Sequence, residues 1–212
     1  MTEFQAWPKT PRLYRDIVIT EKIDGTNSAI VIEEHHLGDE QSPDLINVVP
    51  YLQTDGSSDT EFHLFAQSRK HLITPASDSF GFAQWVADNA ATLVADLGAG
   101  RHFGEWWGQG IQRKYGMDRK VFSLFNTRKW MLHTLSTPNL DIVPVLYHGP
   151  MDSDEIDAAL DELRDEGSLA ALDQGRPKFD NPEGICVFHT AANTVFKVTL
   201  ENDEAPKSIF NS

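Results

Sequence analysis

The residues of this chain that could do chemistry sit at the ends of, or inside, apolar runs. Glu21-Lys22-Ile23-Asp24-Gly25-Thr26-Asn27 places a lysine after the apolar run Ile17-Val18-Ile19, directly before an Asp-Gly turn. An ammonium is not a nucleophile. A lysine desolvated at a strand end, or set near other cations, can lose its proton and attack an electrophile. A glycine beside it lets backbone approach a phosphate closely. Taken alone, such a lysine is ordinarily a solvated surface charge, and Asp-Gly is a common hairpin turn.

Downstream residues supply what that lysine needs. Gln67-Ser68-Arg69-Lys70 follows the apolar run Phe62-His63-Leu64-Phe65. Phe103-Gly104-Glu105-Trp106-Trp107-Gly108-Gln109-Gly110-Ile111-Gln112 carries one acid inside an apolar strand. Glu105 is therefore paired or functional, because unpaired burial of a carboxylate is costly. Phe122 and Phe125 flank Ser123-Leu124, Glu183 opens a hairpin in Pro182-Glu183-Gly184-Ile185, and Lys197 lies in the return strand Val195-Phe196-Lys197-Val198. Singly, each is more often structural. Together, two strand-borne lysines, an arginine and two strand-borne acids suit a nucleotide phosphate and a hard divalent cation.

In order and chemistry the chain resembles the covalent nucleotidyltransferases, the superfamily of DNA ligases, RNA ligases and mRNA capping enzymes. Lys22-x-Asp24-Gly25 is similar to the nucleotidyl-lysine motif and Ser68-Arg69 to the arginine motif after it. Phe103-Gly104-Glu105, Val121-Phe122-Ser123-Leu124-Phe125, Glu183-Gly184 and Phe196-Lys197 resemble the later motifs, in the same order, from about residue 17 to 200. Glu21-Lys22-Ile23-x-Gly25-Thr26-Asn27 and Gly108-x-Gly110-Ile111-Gln112 look most like the RNA ligase 2 type. Asp24 stands where that type often has His, a feature shared with DNA ligases and capping enzymes.

The resemblance implies an ATP-dependent RNA ligase in which Lys22 takes AMP from ATP, passes it to a polynucleotide 5′-phosphate, and a 3′-hydroxyl displaces it. It implies that Lys197 contacts the α-phosphate and that Asp24 shares in catalysis. Arg69 would touch ribose or phosphates, and Phe122 would stack on adenine. Glu21 and Ile23 would lie near the nucleotide, and Asn27 beside the reacting phosphate. Glu105 and Glu183 would serve Mg²⁺ or Mn²⁺. The alternatives are a DNA ligase or capping-type enzyme, and a non-catalytic nucleotide- or RNA-end-binding module. Two departures bear on these. Thr199 stands where the fifth motif usually has a second lysine, leaving Lys207 or Lys178 as candidate substitutes. Residues 1–212 read as one adenylyltransferase domain without the C-terminal OB-fold or helical domain of relatives, so grip on RNA would be weak or supplied by a partner protein.

The elements that must position these residues are mostly strands. Alternating or apolar runs predict strands at 16–23, 27–33, 45–52, 62–67, 101–107, 120–126, 129–134, 141–147, 184–190 and 194–200. Helical spacing appears over 79–97 and 153–166, with a weaker turn at 168–173, and polar loops over 35–44 and 53–60. The pattern predicts an α+β fold with antiparallel sheets flanked by helices, ATP-grasp-like as the resemblance has it. At 40% apolar and 24% charged, the composition is that of a globular protein. No apolar run reaches the ~18 residues of a membrane span. The N-terminus lacks a signal-peptide pattern, and Cys186 reads as a small buried hydrophobe of a reducing, cytoplasmic setting.

A net charge of −14 argues against a polyanionic partner, but its distribution does not. Residues 101–130 hold seven cations against two acids, interleaved with Trp106, Trp107, Tyr115 and Trp130. That stretch predicts nucleic-acid or phosphate contact. Residues 151–183 hold eleven acids against three cations and read as a solvated face.

Overall fold

A computed structural model describes residues 2–51, 59–131 and 133–201. Lys207 and residues 53–58 of the loop expected over 53–60 lie outside them. The chain runs β1 (Asp16–Lys22), β2 (Thr26–His36), β3 (Asn47–Pro50), β4 (Thr60–Ser68), β5 (Leu72–Ile73), α1 (Phe82–Asp88), α2 (Ala90–Leu97), β6 (Gly100–Gly108) and β7 (Lys120–Leu124). It continues through α3 (Thr127–Trp130), β8 (Leu140–Ile142), β9 (Val145–Pro150), α4 (Ser153–Glu166), α5 (Leu169–Asp173), β10 (Gly184–His189) and β11 (Thr194–Thr199).

The fold is α+β. A small sheet has strand order β11-β10-β1-β9, all antiparallel. A large sheet has order β3-β4-β2-β6-β7-β8, with β5 beside β4, antiparallel except for the parallel pair β7-β8. Each sheet buries one face under helices, as period-2 alternation dictates. In the large sheet, Ile30, Ile32, Leu64, Trp106, Phe122 and Leu124 pack against Phe82, Trp85, Val86, Leu93 and Leu97 of α1 and α2. In the small sheet, Ile17, Ile19, Ile185 and Val187 pack against Ala159, Leu160 and Leu163 of α4.

Four expectations need correction. The helix over 79–97 is two helices, broken at Asn89, whose side-chain amide donates to the Trp85 carbonyl. The run 141–147 is two strands in different sheets. Pro144, which has no N–H to give a ladder, marks the crossing, and its carbonyl accepts from the Glu21 amide at 3.0 Å. The expected strand at 129–134 begins instead as the helical turn α3. Asn126 caps that turn by accepting from the Lys129 amide, and Trp130 anchors it in the core. β2 runs on to His36, so the polar loop starts later than residue 35. Among the described residues no helix is long and apolar enough to cross a membrane.

Candidate active site

The faces of the two sheets turned away from α1, α2 and α4 carry most of the candidate site residues. On the small sheet, antiparallel pairing sets Lys22 opposite Gly184 and Gly184 opposite Thr199. The next row is Thr20, Cys186 and Lys197. On the large sheet, Asn27, Glu105 and Ser123 form one row, and Ala29 and Phe103 lie beside it.

Two glycines let these rows meet. A side chain at Gly25 would come within 2.5 Å of the Trp106 carbonyl and 3.0 Å of Glu105 Cγ. Without one, the Gly25 amide donates to Glu105 Oε1 at 3.1 Å. Gly184 has φ +147°, and a Cβ there would collide with the Val198 carbonyl. The chain can thus enter β10 directly after Glu183, which brings that carboxylate to Lys22. Lys22 Nζ donates to Glu183 Oε2 at 2.5 Å, with side-chain exposures of 19% and 7%. Removing one partner of such a pair leaves an uncompensated charge in a low-dielectric setting.

Glu105 completes the cluster. Burial pushes its carboxyl up to about 7, and the negative charges of Glu183 and Asp24 add to the rise. Lys22 and the Gly25 amide oppose it. Two acids crowded beside one ammonium form a site in want of a further cation. Among the described residues no group of three or more His, Cys, Asp or Glu could hold a metal ion. The fit is to a hard cation held by one or two carboxylates and by phosphate oxygens of a substrate.

Asp24 is fixed from two directions. Its amide donates to the Tyr115 hydroxyl at 2.7 Å, and its Oδ2 accepts from Arg113 Nε at 3.2 Å. Tyr115 is fully buried against Trp107 and Phe179. Burial pushes its hydroxyl well above the usual phenol range.

The structure brings together Lys22, Asp24, Glu105 and Glu183, with Asn27 exposed in the row of Glu105 and Lys197 exposed one row along from Lys22. Other expected site residues stand elsewhere. Glu21 points to the opposite face of β1. It is 1% exposed, its Oε2 accepts from the Ala170 amide at 2.8 Å, and burial pushes its carboxyl up to about 7. Its side chain does not face the Lys22 cluster, so only its backbone can serve a nucleotide there. Ile23 is likewise buried, with Trp107, Tyr115 and Val121. Phe122 lies fully buried on the helix-covered face, 4.9 Å from the Phe82 ring, and cannot stack on a base beside Lys22. Arg69 is exposed in the turn between β4 and β5, with no hydrogen bond or ion pair to the cluster among the described residues. Cys186 is only partly buried and lies on the open face, where burial pushes its thiol up and Lys22 and Lys197 oppose the rise. Lys178, a candidate substitute for a second motif-five lysine, pairs with Asp180 at 3.0 Å.

Three residues beside the site, Phe125, Arg113 and Tyr115, had no individual role assigned from the sequence. Phe125 is 40% exposed, and its amide donates to the Phe103 carbonyl, which places it next to the Glu105 row. Phe103, two residues from Glu105 on the same face, is 45% exposed. The parity of Phe125 with Ser123 fixes its face only once Ser123 is known to pair with Glu105. Arg113 was noticed only as one charge of the basic stretch. Other cations of that stretch have structural partners: Arg119 binds Gln174, Lys120 donates to the Phe80 carbonyl, and Lys129 lies over Trp130. Arg101, Lys114 and Arg128 are exposed.

Solved structures of similar shape include three of Naegleria gruberi RNA ligase. One, an apo variant, is 17% identical with a TM-score of 0.48, covering 87% of this chain and 49% of that one. The other two are variants with ATP and Mn. They are 15% and 16% identical with TM-scores of 0.48 and 0.47, covering 88% and 87% of this chain and 50% and 49% of theirs. The chain thus spans about half the length of these ligases. Among curated proteins none matches. A family model described as RNA ligase matches residues 15–199, which takes in Lys22, Glu105, Glu183 and Lys197. By that match the chain belongs to the RNA ligase family.

Proposed function

We propose that this chain is the adenylyltransferase unit of an ATP-dependent RNA ligase and that Lys22 carries AMP. The observation that carries the reading is the Lys22–Glu183 pair at 2.5 Å, set beside Glu105 at the end of β1. In the first step Lys22 Nζ forms a bond to the α-phosphorus of ATP. The bond from that phosphorus to the α,β-bridging oxygen breaks, pyrophosphate leaves, and the amine gives up its proton. A 5′-phosphate oxygen then attacks the AMP phosphorus and the P–N bond breaks, returning the lysine. Finally a 3′-hydroxyl attacks the 5′-phosphorus, AMP leaves, and a phosphodiester remains.

Most of this work is positioning and charge neutralisation. Glu183 holds the amine in place, and Asn27 and Lys197 line the space the phosphates would enter. Glu105 and Glu183 would hold Mg²⁺ or Mn²⁺, which when bound would neutralise phosphate charge. Phe125, in place of Phe122, is a ring on the open face, beside Phe103, that could stack on adenine. Thr199 lies level with Lys22 across Gly184, so the charge that relatives' second lysine supplies is lost in the row nearest the nucleophile.

The test is label transfer. The wild type should take up label from α-labelled ATP with a divalent cation, and Lys22→Ala should take up none. Comparing 5′-phosphorylated RNA and DNA as acceptors, and GTP with ATP as donor, then separates an RNA ligase from a DNA ligase or capping enzyme. Undiminished labelling of the Lys22→Ala protein would sink the reading.

A further inference from the structure

Arg113 lies in a connection whose backbone has no ordinary explanation. Between β6 and β7, Gln112, Lys114 and Tyr115 have φ of 42°, 63° and 50°, and Gly108, Gly110 and Gly116 are also left-handed. Side-chain-bearing residues adopt that region rarely, and several in one loop persist only where surrounding contacts hold them. Here the contacts are specific. The loop closes on itself through the amides of Ile111, Lys114, Tyr115 and Met117. Its buried Tyr115 anchors the Asp24 amide.

The strained loop presents Arg113 between two segments far apart in sequence. Arg113 Nε donates to Asp24 Oδ2 at 3.2 Å. Its Nη1 donates to the Asn181 carbonyl at 2.9 Å, to Asn181 Oδ1 at 2.6 Å and to the Pro182 carbonyl at 3.3 Å. Asp24 is two residues after Lys22, and Pro182 is the residue before Glu183. One guanidinium thus ties the turn that follows the nucleophile to the loop that delivers its carboxylate partner. A guanidinium suits this task because its donors are fixed in a planar fork.

We infer that Arg113, braced by Tyr115, is a positioning residue that sets Lys22 against Glu183. It acts through Asp24 and the 181–182 backbone and touches no reacting atom. Asp24 is then the anchor of the nucleophile turn, and its charge is used within the protein. The inference rests on the proposed function for its consequence in catalysis, while the clamp itself can be tested without nucleotide.

Two measurements on the whole chain test it. The first is amide hydrogen exchange over 23–27 and 181–184 in wild type and Arg113→Ala. The clamp predicts that both segments exchange about tenfold faster in the variant, with the core strands unchanged. Unchanged exchange in either segment would overturn it. The second is the rate of lysyl-AMP formation against ATP concentration. Arg113→Ala should lower the maximal rate about 10- to 100-fold with little change in KM, and Arg113→Lys should recover only part of the loss. Asp24→Asn should add little on top of Arg113→Ala, since the two act through one contact. A maximal rate within about twofold of wild type, a rise confined to KM, or full additivity would each reject the positioning role. If the wild type forms no lysyl-AMP, the proposed function fails, and the exchange result still decides the clamp.

Discussion

The helix-covered and the open faces of the two sheets are built from the same strands, yet they carry different residues and do different work. On β1, Ile17, Ile19 and Glu21 face α4 and α5, whereas Lys22 lies on the opposite face. On β6, Trp106 is in the core, whereas Phe103 and Glu105 face outward. Past β7 the same division separates Phe122 from Phe125. The comparison teaches that a site residue is set by parity along the strand. Even a buried carboxylate, Glu21, belongs to the scaffold when it faces a helix.

The sharpest way to break this division is to truncate the two phenylalanines. Phe122→Ala removes a fully buried ring from the core and should cost about 3–5 kcal/mol of stability in chemical denaturation. Phe125→Ala should leave stability nearly intact and raise the KM for ATP about tenfold, in line with ~1–3 kcal/mol per stacked base. If Phe122→Ala folds normally and loses ATP affinity while Phe125→Ala does neither, the two faces have been assigned the wrong way round.

Glu21 tests the same division through pH. Its carboxyl is held at about 7 in the fold against 4.5 ordinarily, with burial as the main cause. The folded state therefore binds a proton more tightly than the unfolded state, so this group's contribution to stability falls as pH rises from about 4.5 to about 7. Glu21→Gln cannot ionise. Relative to wild type it should gain about 1–3 kcal/mol across that window, measured by denaturation at pH 5 and pH 7.5. A stability difference independent of pH would mean that Glu21 is not buried as described.

The smallest expected effect concerns Thr199. Its hydroxyl donates to the Glu201 carbonyl at 2.9 Å, and its position lies level with Lys22. Thr199→Lys should place a cation in that row and lower the KM for ATP about threefold, since an exposed cation near a phosphate is worth on the order of 1 kcal/mol. No change in KM would place the phosphates away from that row.

The residues of the candidate site were more legible in the sequence than their arrangement. The lysine before an Asp-Gly turn, the acid inside an aromatic strand and the acid opening a hairpin were each visible as local conflicts with ordinary strand composition. The strands that carry them were visible by alternation. Register was not. Whether Phe122 or Phe125 shares a face with Glu105 depends on the pairing of Glu105 with Ser123, which no local pattern encodes. The crossing at Pro144 was hidden because apolar residues continue on both sides of it, and α3 because Trp130 and Met131 fit a strand as well as a helical turn. Arg113 left no signal beyond its charge, because its partners lie 89 and 68 residues away.

The central claim is that Lys22 is the residue that takes up AMP. Peptide mass spectrometry after incubation with ATP and Mg²⁺ tests it most directly. The account predicts one AMP adduct on the peptide containing Lys22, absent from Lys22→Ala and released by pyrophosphate. An adduct on Lys197 or another residue, or an unmodified protein under conditions where it binds ATP, would contradict it.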